Sequence, residues 1–273
     1  MTTTNDSTHI SDLNIPITVA AKIFYDDDLV KALQTLQEQQ YRALFIPEFA
    51  DARIASNKDS PLWDWYLTQS LKATGKTKAR NPVVVYAHIP HYFSNPKHIT
   101  EARTQGLRNG AGPIPQKEFL KILTLEDEQT VFVRDHDTLS KATYGLITIK
   151  EALAHPQTIP FIGGQERATT YLQQHQNTVG PNIIINYCDD LADQPYGRLL
   201  FAGHRLNYGR LCGNYLHLDG RFVGVPSRSA AGGAPKTAEL EQLAGKGREV
   251  GNDLIVLRKD QIPPALYQLL TRT

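Results

Sequence analysis

The chain has 273 residues, of which 41% are hydrophobic and 21% charged. That is enough apolar material for one large folded domain and too much for a disordered chain. Lys and Arg number 29 against 28 Asp and Glu, a balance with no electrostatic drive toward nucleic acid or an anionic membrane.

Two cysteines, Cys188 and Cys212, are too few for a disulfide-stapled scaffold and suit a reducing, cytoplasmic setting. No stretch reaches the ~18–20 apolar residues that a bilayer crossing requires. The polar start, residues 1–13, reads as a disordered tail without the regions of a signal peptide. Residues 14–273 read as a single α/β domain, with a possible subdivision near residue 196 that sets off 197–273.

In chain order, 17–23 reads as a strand. Asp26, Asp27 and Asp28 then cap a helix whose apolar positions are Leu29, Ala32, Leu33 and Leu36. A strand at 43–46 follows. Ser60-Pro61 is a helix start, and that helix is expected to run to Gly75. Trp63 and Trp65 are two apart within it, so one is expected in the core and the other against a cleft or partner. A strand at 83–87 precedes a helix that starts at Asn95-Pro96 and stops at Gly106. A short helix near 119–123 leads to a strand at 130–133. Thr148 and Glu151 have capping-box spacing. Residues 158–162 suit a strand, and Gly163-Gly164 opens a helix. A strand of isoleucines, 183–185, follows, and then one at 198–202. Asp219-Gly220 between the apolar segments 215–218 and 221–225 predicts a two-residue hairpin. A loop at 226–236, a helix near 237–244, a strand at 253–257 and a terminal helix from 264 complete the reading.

Short apolar runs separated by helical stretches suggest a three-layer α/β sandwich with a mainly parallel sheet and an antiparallel β-hairpin extension in the C-terminal third. In such folds ligands sit at the carboxyl ends of the strands. Several runs end there in acids or histidines. Asp135 and Asp137 share one face of extended chain, and with Asp189 they are the candidate ligands for a divalent cation, Mg, Mn or Zn. His136 and His88 are the candidate proton carriers. Gly163 and Gly164, at a helix start, and Arg167 form the candidate anion site.

These features point to a divalent-metal-assisted hydrolase or group transferase acting on a small polar or phosphorylated molecule. One alternative is a non-catalytic ligand-binding or protein-interaction domain, a sensor or effector, anchored by Trp63, Trp65, Tyr66 and the 215–225 segment. Another is a metal-free nucleotide-binding transferase built on the Gly163-Gly164 turn. The expected partner is a small-molecule substrate, with no nucleic acid and no membrane.

Overall fold

The structure is a computed structural model that describes residues 8–15, 18–205 and 208–227. The helix near 237–244, the strand at 253–257, the helix from 264 and nearly all of the 226–236 loop lie outside the described residues. The strands are β1 (His9–Ile15), β2 (Thr18–Asp26), β3 (Tyr41–Ala43), β4 (Tyr66–Lys76), β5 (Pro82–Ala87), β6 (Gly112–Pro113), β7 (Val131–Asp135), β8 (Gly145–Thr148), β9 (Asn182–Ile185), β10 (Tyr196–Arg205), β11 (Tyr208–Gly213) and β12 (Gly220–Pro226). The helices are α1 (Leu29–Glu38), α2 (Ile46–Ile54), α3 (Pro96–Gln105), α4 (Gln116–Leu123), α5 (His136–Ser140), α6 (Ile149–Ala154), α7 (Thr158–Ile162) and α8 (Gln165–Thr178).

All the strands join one mixed sheet, with β1, β2, β12, β4, β10, β11, β9 and β8 in that spatial order. Among the described residues, only the β9–β11 pairing and a single β4–β12 register point are parallel; the other pairings are antiparallel. The expected mainly parallel sandwich is therefore wrong. The apolar runs are real, but they arise because central antiparallel strands here are covered on both faces. Along β5, Val83, Val85 and Ala87 enter one core while Val84 and Tyr86 enter another, so successive side chains feed opposite faces of the sheet. A strand buried on both faces loses its apolar–polar alternation, and strand direction is then invisible in composition.

Two apolar layers follow. One packs Leu29, Leu33 and Leu36 of α1, Ile99 of α3 and Phe119 of α4 against the sheet. The other packs Phe49 of α2, Ile149 of α6, Phe161 of α7 and Leu172 of α8.

Several local expectations meet the structure directly. The Asp28 side chain accepts from Val30 N–H and caps α1. Asn95 caps α3, and Gly106 ends it at φ +101°. The Thr148–Glu151 capping box starts α6.

Others fail for identifiable reasons. Ser60 caps only a three-residue 3-10 turn at Pro61–Trp63, and the chain then becomes β4, buried along ten of its eleven residues. Residues 9–13, expected in a loose tail, are paired into β1, with Leu13 opposite Ala21. Residues 158–162 form α7, a helix closed by Gly163 at φ +87°. The 219–220 hairpin does not form. Gly220 instead lies against α1, where a Cβ would come within 2.7 Å of the Leu29 Cα, and β12 pairs with β2.

Candidate binding surface

Of the residues expected to form a metal and proton-transfer site, the structure brings His136 to 3.8 Å from Asp137 Oδ1 and against the Asp189 backbone, while among the described residues the acids do not gather into a metal-holding group. Asp135 caps α5 by accepting from the Thr138 backbone N–H at 2.7 Å and its hydroxyl at 2.8 Å. Those bonds hold its carboxyl below the usual range. The Asp137 side chain is 67% exposed. Buried His136 faces the Asp189 backbone oxygen through Nε2 at 2.9 Å.

His88 is buried in a relay. The Ile46 N–H donates to Ser70 Oγ, the Ser70 hydroxyl meets His88 Nδ1 at 2.8 Å, and His88 Nε2 meets the Pro160 carbonyl at 2.9 Å. This chain ties α2, β4 and the end of β5 to α7. Burial pushes the His88 imidazole down to about 4, so it is neutral at physiological pH. Among the described residues, no three His, Cys, Asp or Glu side chains are grouped to hold a metal ion.

Gly163 and Gly164 do link α7 to α8, and the Arg167 side chain reaches back to the Gly163 carbonyl. A cavity of about 460 Å³ opens beside them. Arg167 Nε is paired with Asp51 at 2.8 Å, and Glu166 also lines the space. Near this cavity's Asp51, Arg53 of α2 is fully buried, donating to the carbonyls of Leu62, Asp64 and Ala202 and to the Tyr171 hydroxyl.

The structure gathers a different group. Arg198 of β10 lies directly opposite Lys72 of β4 in the antiparallel register. Each is 2% exposed. Two cations side by side in a sheet repel, and Asp189 lies between them, paired with Arg198 at 2.5 Å and 3.8 Å from Lys72 Nζ. Lys72 also donates to the Tyr187 carbonyl at 2.9 Å. Burial lowers the Lys72 ammonium from its ordinary value, against the pull of Asp189.

This trio anchors the irregular segment between β9 and β10. Arg198 additionally donates to the Asn109 carbonyl, and its guanidinium lies 5.6 Å from the centre of the Tyr215 ring. Tyr215 packs over Gly110, where a Cβ would come within 2.0 Å of the ring at a backbone φ of +79°.

Above this buried base lie exposed aromatic and apolar groups. Tyr187 is 41% exposed, Tyr215 37% and Leu218 39%, half of the large hydrophobic side chains found exposed among the described residues. The neighbouring Tyr215 hydroxyl raises the Tyr187 phenol above its ordinary value. The Tyr215 and His217 rings stack at 5.7 Å and 6°. Such a patch on loops, fixed by a rigid ionic base, is suited to contact rather than to proton transfer.

The sequence reading includes Tyr215 among its anchors but misses Tyr187, Lys72, Asp189's true role and Arg198. Trp63 and Tyr66, expected anchors, are core residues at 2% and 0% exposure. Trp65 is half-buried beneath Arg221.

No protein-family model matches the chain, and no curated protein does. A solved structure presented as accommodation of massive sequence variation in Nanoarchaeota by the C-type lectin fold is 48% identical. Its TM-score is 0.71, and the match covers 75% of this chain and 97% of that one. This likeness overturns the expected hydrolase or transferase and supports the alternative of a non-catalytic binding domain. The identity is high and extends over nearly all of that protein, and this chain belongs to the C-type lectin fold family.

Proposed function

We propose that this protein is a non-catalytic binding domain whose ligand surface is built from the loops at 186–195 and 214–219. The observation that carries the reading is the 48% identity to a C-type lectin fold protein over 97% of its length. The exposed Tyr187, Tyr215 and Leu218 supply the contact groups, since Tyr offers large area at low entropic cost. The relative is described by the sequence variation its fold accommodates. Here the equivalent tolerance falls to the exposed loop side chains, which lie above the Lys72–Asp189–Arg198 base and do not replace it.

C-type lectin folds often bind calcium, a divalent cation. Among the described residues, no three His, Cys, Asp or Glu side chains are grouped to hold such an ion, and nothing favours Mg, Mn or Zn.

The reading is tested by probing arrays of defined saccharides and purified proteins with the wild-type chain and with the Tyr187→Ala/Tyr215→Ala variant. The expected result is a set of ligands bound by the wild type and lost at least tenfold in the variant, which still melts in one cooperative transition. Ligands bound equally by both proteins would place the surface elsewhere.

A further inference from the structure

Away from these loops, an open groove of about 810 Å³ runs between α4 and the turn at Tyr92–Ser94. Its wall is rigid. The Tyr92 and His98 rings stack at 4.1 Å and 6°, His98 Nδ1 is bonded to the Tyr92 carbonyl at 2.8 Å, and Pro90 and Pro115 flank them. The facing stripe comes from α4 and the residues after it: Lys117, Lys121 and Leu125, each four residues from the last. Leu125 is 47% exposed. Neither lysine forms an ion pair among the described residues. Glu118 is the one acid on the lining.

We propose that this groove binds an acidic, extended peptide segment of a partner protein, a second binding site beyond the loop surface. The charge and the spacing both select that occupant. Lys117 and Lys121 are one helical turn apart, about 6 Å along the axis. In an extended peptide, residues two apart on one face are separated by about 6.6–6.8 Å. Carboxylates at alternate positions therefore meet successive lysines, and an apolar side chain beyond them reaches Leu125 and the Tyr92–His98 wall. The volume is within the range of ligand-binding clefts. Glu118 opposes an acidic ligand, so its charge weakens binding and its removal strengthens it.

The test selects binders from a random dodecapeptide display library on the full chain and measures their affinity by fluorescence anisotropy. The expected peptides carry two acids two residues apart with a nearby Leu, Phe or Met. Lys117→Glu/Lys121→Glu should weaken them at least tenfold, and Glu118→Gln should tighten them severalfold. Tyr215→Ala should leave them unchanged, which separates this site from the loop surface. The proposal is overturned if the selected peptides show no acidic pattern, or if the double charge reversal keeps affinity within twofold while the protein still melts cooperatively. It is equally overturned if sedimentation shows a dimer that the reversal dissociates, since the occupant would then be a second copy of this chain.

Discussion

At the scale of single residues, the fold gives Asp189, a candidate metal ligand by sequence, a structural task. Asp189 compensates two buried cations, Lys72 and Arg198. Asp189→Asn removes that charge and leaves both unpaired, which costs about 3–5 kcal/mol; urea denaturation should show it as a lower midpoint with an unchanged slope. A near-native midpoint would mean that the trio is not the anchor of the loop. Arg53 meets its carbonyl acceptors with a planar fork that lysine cannot reproduce. Arg53→Lys should therefore cost roughly 2–4 kcal/mol by leaving buried acceptors unpaired.

The buried histidines add a pH dependence. Burial pushes His88 and His175 down to about 4, with Arg53 adding to the effect at His175. An unfolded histidine takes up its proton near pH 6.5. Between about 6.5 and 4 the unfolded state thus binds more protons, and stability falls as the pH falls. Urea midpoints measured from pH 7.5 to 4 should decline through that window. A flat profile would contradict neutral burial of these rings.

At the scale of elements, caps were legible and strand context was not. Asp28, Asn95-Pro96 with Gly106, and Thr148 with Glu151 act within one turn of the chain, and each starts or stops the helix its spacing implies. Thr148→Ala should cost about 1 kcal/mol by freeing the first-turn N–H groups, readable as a small shift in thermal midpoint. Ser60-Pro61 shows the limit of such local signals. The cap forms, but 66–76 contains Thr68, Ser70 and Thr74 among apolar residues and pairs with β5 on one side and β10 on the other. Long-range pairing decides that segment, and nothing within it announces its partners. The same limit hid the base of the proposed binding surface. Lys72 and Arg198 are more than 100 positions apart, and only the β4–β10 register brings them together. The acids at 135, 137 and 189 look like one cluster in sequence because each follows an apolar run. In the fold they cap a helix, face solvent and neutralise a cation pair.

At the scale of the whole molecule, a mixed sheet covered on both faces fixes the scaffold, and the loops above it present the exposed Tyr187, Tyr215 and Leu218. The two apolar layers hold the sheet, so exposed loop positions are free to change at little cost. Replacing His217 or Leu218 by Ala should alter stability by no more than about 0.5 kcal/mol, checked by the same urea midpoints; a loss above 2 kcal/mol would show that the loop is part of the core. The central claim is that this surface binds without transforming what it binds. Its most direct test is a calorimetric titration with the strongest ligand found on the arrays, followed by mass analysis of the recovered ligand. The account predicts saturable binding, a chemically unchanged ligand, and loss of the heat signal in Tyr187→Ala/Tyr215→Ala. A ligand recovered in altered form, or binding indifferent to that variant, would contradict it.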